Sequence, residues 1–134
     1  MAANTAPIFV LTPKHPAVRI ATANTNRDGA TGTYGTLYTA GANGAFFKGF
    51  RWVAEGDTTA GAIRLFLQNA GAGNFEMIYE TVVPAVTFAA GVTPVAQGEW
   101  MPTNGIALAA NTVVTVNTHI GEPFSCWLES GGDY

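Results

Sequence analysis

One short loop has side chains that could hold a cation. In Ala23-Asn24-Thr25-Asn26-Arg27-Asp28-Gly29, oxygen-bearing residues stand at alternate positions and a glycine follows. A helix-flanked calcium loop needs oxygen donors at positions 1, 3 and 5, glycine at 6 and a bidentate glutamate at 12. Counted from Asn24, the last of these positions is Gly35, and only Asp28 among the three early donors is charged. A divalent ion would be poorly neutralised, so the stretch reads as a polar turn closed by Asp28-Gly29, with no metal expected.

Nucleophilic catalysis needs a hydroxyl or thiol beside a base. The chain offers Ser125, Ser130 and Cys126 with His15 and His119, and contains no GxSxG, HExxH or CxxC. Ser125 and Cys126 lie in a segment of strand character, where Cys126 shares a face with Phe124 and Leu128 and so reads as packing. His119 ends a strand beside Asn117 and reads as a surface or satisfied core residue. Glu76 and Glu80 fall on one strand face, ~13–14 Å apart at ~3.4 Å per residue. That is wider than the ~5–9.5 Å of paired glycosidase carboxylates, and a solvated face explains them. Phe46, Phe50, Trp52, Trp100 and Trp127 carry rings that could stack on sugars, although core filling accounts for at least half of them. The glycine-rich 70–74 lacks the lysine and helix of a phosphate loop and is a turn. No catalytic residue and no cofactor is expected.

The elements that would position such groups are strands. Sixteen glycines and seven prolines interrupt the chain at short intervals, and no long stretch keeps helical spacing. β-Branched and aromatic residues fill the intervals, as in a sandwich or barrel. Strands are expected at 17–23, 33–40, 45–54, 62–68, 75–83, 85–89, 95–101, 105–109, 112–120 and 123–129, with turns at 40–44, 69–74, Asn104-Gly105 and Ala110-Asn111. In 45–54 strict alternation puts Phe46, Lys48, Phe50 and Trp52 on one face and Phe47, Gly49, Arg51 and Val53 on the other. About eight to ten short strands exceed one small sheet. The fold expected is an all-β, two-sheet β-sandwich in jelly-roll or Greek-key order.

Residues 1–16 stand apart as an extended N-terminal arm, and 17–134 form the β-sandwich domain. Pro7, Pro13 and Pro16 keep the arm extended, while Ile8, Phe9, Val10 and Leu11 are too apolar for a free tail. These four form the candidate partner interface, against either the parent domain or a neighbouring subunit.

Composition narrows the partners. Charged residues make up 11% of the chain and hydrophobic ones 48%, against roughly 25% charged in an ordinary soluble domain. A surface so short of charge points to a homo-oligomer. The formal charge is −3, and Lys14, Arg19, Arg27, Lys48, Arg51 and Arg64 are scattered, so no nucleic acid is expected. No 18-residue apolar run suggests a membrane span. The start MAANTAPIFVLTPKHP has neither the basic region nor the apolar core of a signal peptide. A single cysteine fits a reducing compartment.

The stretches TANTNRDGATGTY, YTAGANGAFFKGFRW, GDTTAGAIRLFL and EPFSCWLESGGDY resemble a family of small virion structural proteins of tailed bacteriophages. The landmarks correspond to residues 22–29, 39–44, 58–66, 105–108 and 131–134, and they are turn and packing motifs. The resemblance implies a non-enzymatic capsid decoration or cement protein. Such a protein would bridge subunits of the major capsid protein on the capsid exterior, as a dimer or trimer assembled in the host cytoplasm. The alternative is a tail- or fibre-associated module that grips a host glycan or receptor with exposed Trp or Tyr.

Overall fold

The computed structural model describes residues 10–68, 73 and 75–134. Ten strands carry the fold: β1 (Thr12–Lys14), β2 (Ala17–Ile20), β3 (Gly35–Thr39), β4 (Ala45–Ala54), β5 (Gly61–Gln68), β6 (Glu76–Val83), β7 (Gln97–Trp100), β8 (Ile106–Leu108), β9 (Val113–Thr118) and β10 (Phe124–Asp133). No helix occurs among the described residues. The turn read at 69–74 falls almost wholly outside them, and the segment read as a strand at 85–89 forms only isolated bridges at Val86 and Ala89.

Every strand pair is antiparallel. In sheet A, β10 lies between β4 and the successive short strands β1 and β2, while β7 and β8 line the other side of β4. Sheet B runs β3-β9-β5-β6. The pairing is nested: the first strands meet the last, β3 meets β9, β4 meets β7 and β8, and β5 meets β6. That nesting is a jelly roll, two Greek keys folded into facing sheets. Thr12–Lys14, read from sequence as arm, therefore form an edge strand of sheet A, against Gly131–Asp133.

The core between the sheets is built from Phe47, Phe50, Trp52, Phe124, Cys126 and Leu128 on one side and Ile63, Leu65, Val114 and Val116 on the other. Edge-to-face ring pairs such as Trp52 with Phe124, centroids 5.9 Å apart, add directionality to area burial.

Strict alternation fails in β4. Ala45 and Phe47 face the core, then Phe50, Trp52 and Ala54 do, while Phe46 is half-buried and Lys48 exposed. The phase slips where Lys48 lies opposite Ser130, and Ser130 holds a left-handed φ of 45°. Gly49 occupies the slip because a side chain there would collide with Trp100 and Met101; its Cβ would come within 2.5 Å of the Trp100 carbonyl oxygen. The expected grouping of Phe46 and Lys48 with Phe50 and Trp52 is thus corrected: Phe47 takes the core position.

A second slip lies in β6. Leu65 pairs with Tyr79 and Phe66 with Met77, which leaves Ile78 as a bulge. Glu80 is therefore beside Arg64 and Glu76 beside Leu67. Arg64 and Leu67 have opposite parity on β5, so the two glutamates do not share a face as alternation alone implied.

Candidate functional site

The connection between β2 and β3, residues 21–34, folds back over the outer face of sheet B. Backbone pairing starts it: the Asn24 amide donates to the Thr118 carbonyl at 2.8 Å. Asn24 is buried, and its side-chain amide donates to the carbonyls of Thr31 and Thr33, each at 3.0 Å. Its oxygen accepts the Asn26 amide, which closes an Asx turn. Asp28 organises the tip by accepting from the amides of Ala30 and Thr31 and from the Thr31 hydroxyl. These bonds, the Thr31 hydroxyl first, pull the Asp28 carboxyl down from 3.8 to about 2. The side-chain oxygens of Asn24 and Asp28 thus bind the loop to itself. Among the described residues no three His, Cys, Asp or Glu side chains gather as a metal site.

Beneath the loop lies a polar cluster that sequence reasoning missed. Arg64 is buried on β5, with its side chain 4% exposed. It donates to the Glu80 carboxylate at 2.6 Å and to the Asn24 carbonyl at 3.2 Å, and it lies 3.1 Å from His119 Nδ1. Arg27, from the loop, binds the same Glu80 carboxylate from the solvent side. Hydrogen bonds from Arg27 and then Arg64 hold Glu80 below the usual carboxylate range. The cross-strand neighbour of Arg64, Asn117, donates to the Asn26 carbonyl at 3.2 Å. Phe66, on the same outer face, packs edge-on against Tyr34 at 5.3 Å. The available signal was parity: in AIRLFLQ, Arg64 and Phe66 occupy the face away from Ile63, Leu65 and Leu67, and a Phe there needs a cover.

The nucleophile and base candidates do not converge. Cys126 is buried in the core, and desolvation pushes its thiol up to about 12. Ser125, on sheet A, reaches Glu55 at 3.5 Å, whereas His119 follows β9 of sheet B and contacts Arg64. His15 is exposed between β1 and β2, and Ser130 is exposed at the β10 kink.

The landmark stretches meet one another in space. The Gly41 amide donates to the Asp133 carboxylate at 3.0 Å, the Tyr38 hydroxyl donates to the same carboxylate, and the Tyr134 amide donates to the Gly44 carbonyl at 3.1 Å. Thr59 binds Glu122 through both its amide and its hydroxyl. These motifs hold the ends of the sandwich shut.

The five aromatic candidates separate clearly. Phe50 and Trp52 are core, and Trp100 stacks on Tyr79 with centroids 4.9 Å apart. Phe46 and Trp127 remain half-buried outside the core. Trp127 lies on the outer face of sheet A beside Arg51, and its indole N–H donates to Glu129 at 2.7 Å. Of the proposed interface residues, Ile8 and Phe9 lie outside the described residues. Val10 is half-buried, and Leu11 is 78% exposed although its amide donates to the Asp133 carbonyl. Val82, Phe88 and Val92 are the other large exposed apolar side chains among the described residues.

No family model and no curated protein sequence matches the chain. Among solved structures it is similar to the TNF protein Eiger from S. frugiperda, at 10% identity over 89% of this chain and 87% of that one, with a TM-score of 0.46. It is also similar to part of the CBM22-1–GH10 modules of Clostridium thermocellum endo-1,4-beta-D-xylanase 10B, solved with xylohexaose: 11% identity, 87% of this chain, 26% of that one, TM-score 0.28. A chain of infectious bursal disease virus matches at 13% identity over 98% of this chain and 42% of that one, with a TM-score of 0.20. At such scores the jelly-roll assignment rests on the strand pairing and not on these likenesses.

Proposed function

We propose that this chain is a non-enzymatic structural protein of a tailed-phage virion, a decoration or cement protein that bridges major capsid subunits from the capsid exterior. The observation that carries the reading is Leu11: 78% exposed, next to an edge strand of sheet A, in a chain of which only 11% is charged. Leaving such a side chain in water forgoes roughly 1.5–3 kcal/mol of burial, so a partner surface is its natural place. The resemblance to phage proteins supports the setting, because its landmarks serve as clasps and cover within the sandwich and leave the β1 edge of sheet A for assembly. The shortage of charge supports self-assembly, and a dimer or trimer belongs to the same proposed setting.

The test removes residues 1–10, which leaves β1 intact, and separately makes Leu11→Ser. Both variants are expected to melt within a few degrees of the parent protein and to lose co-sedimentation with phage shells assembled without it. Unchanged shell binding would remove the arm from the interface. Copy number in purified virions separates head from tail: hundreds per particle support decoration, and a few tens support a tail or fibre module. A clean 14.0 kDa monomer by sedimentation equilibrium would count against self-assembly.

A further inference from the structure

The outer face of sheet A carries a groove of about 330 Å³ between β10, β4 and β7, lined by Arg51, Val53, Gln97, Gly98, Glu99 and Trp127, with the edge of Trp52 in its wall. Its size is at the lower end of ligand pockets, ~300–1,000 Å³. The cross-strand partners of Trp127 are Arg51 on β4 and Ala17 on β2, and the small alanine leaves the indole uncrowded on one side. Arg51 is held between Glu99 at 2.9 Å and Glu129 at 3.1 Å, so its guanidinium lies fixed across the groove. Glu129 also accepts the Trp127 indole N–H, which fixes the ring. Behind Gly98, the Trp52 indole N–H has no partner among the described residues.

We propose that this groove is a binding site for a neutral saccharide, an activity separate from capsid bridging. A pyranose has an apolar C–H face and a rim of hydroxyls. Recognition therefore needs one aromatic platform and several planar polar groups at the spacing of neighbouring strands, ~5 Å. Trp127 supplies the platform. Arg51, Gln97 and Glu99 supply donors and acceptors that pair with vicinal hydroxyls. Arg51 and Glu99 put one positive and one negative charge in the lining, and Glu129 pairs with Arg51 from beside it, so the groove offers no unpaired cation to an acidic sugar and favours a neutral one.

The test titrates the full chain with cellohexaose, N-acetylchitohexaose and sialyllactose, followed by tryptophan fluorescence and calorimetry. One of the two neutral hexamers is expected to bind with a dissociation constant below about 1 mM. Trp127→Ala should weaken that binding by more than about tenfold, while Trp127→Phe keeps most of it. Gln97→Ala, on an exposed position, should weaken it several-fold without altering the melting temperature, which keeps the test valid if Trp127→Ala fails to fold. Absence of binding by either neutral hexamer at about 10 mM overturns the proposal, as does preferential binding of sialyllactose. A folded Trp127→Ala protein that changes oligomeric state while binding sugar normally would also overturn it, and would make the face an interface between copies.

Discussion

Arg64 reaches Glu80 across the β5–β6 pair at 2.6 Å from a side chain that is almost wholly buried. Removing the carboxylate strands the guanidinium under the loop with only the Asn24 carbonyl and His119 as partners. Glu80→Ala is therefore expected to cost about 2–3 kcal/mol, below the 3–5 of a fully buried pair because Glu80 is partly exposed. Arg64→Met, which removes charge and keeps volume, should cost less than Glu80→Ala. Arg27→Ala, at a solvent-exposed position, should cost the least of the three. Urea denaturation of the three variants reads the order directly, and a different order would mean that the cluster is not anchored at Arg64.

The Asp28 tip supplies a pH test. Its carboxyl titrates lower in the folded state, about 2 against 3.8. A depressed carboxylate stabilises the fold above its unfolded pKa and loses that contribution as pH falls through the folded one. The parent protein should hence lose stability between about pH 4 and pH 2, more steeply than Asp28→Asn does. Melting temperatures across that range decide it. Added calcium is expected to leave both proteins unshifted at neutral pH; a calcium-dependent rise, lost in the variant, would restore a cation role to the loop.

Ser130 adopts a conformation that an L-residue enters at a cost of roughly 1–2 kcal/mol. Ser130→Gly should relieve it, and after the extra unfolded-state entropy of glycine a gain of about 0.5 kcal/mol is expected. Ser130→Val, β-branched, should destabilise by more than about 1 kcal/mol. Thermal denaturation of the pair tests whether the phase slip in β4 and β10 is anchored at this residue.

Cys126 is sealed in the core with its thiol raised to about 12. Ellman's reagent at pH 8 should label it only at the rate of global unfolding, and fully in denaturant. Cys126→Ser is expected to cost about 1–3 kcal/mol more than Cys126→Ala does, since a buried hydroxyl there has no partner. Rapid labelling of native protein would show an open path into the sandwich.

Much of this architecture could be read from local pattern. The ten residues 45–54 are a strand at the limits that their β-branched and aromatic run suggested, and the turn at Ala110-Asn111 separates β8 from β9, with Asn111 at a φ of 60°. Alternation failed where pairing overrides it. The bulge at Ile78 and the slip at Lys48 and Ser130 depend on strands distant in sequence, so no local window contains them. Arg64 was counted only among the scattered basic residues because burial of an arginine requires a carboxylate and a cover, here Glu80 and the 21–34 loop, which the chain brings together only on folding. Gly131-Gly132 fell beyond the strand expected at 123–129. They extend β10 instead, because a Cβ at either position would strike the backbone of β4 or β1.

β10 is flanked on both sides, by β1 and β2 and by β4, although it is the last strand in the sequence. A chain leaving the ribosome in order would expose β4, the most aromatic strand, for the time needed to make some seventy further residues before its central neighbour appears. Sheet B waits likewise for β9. Folding of this molecule is thus governed by closure of long loops and slow for its size. Early premature stops and late ones should be equally unproductive, and the half-made sheet is the species that a chaperone would have to guard.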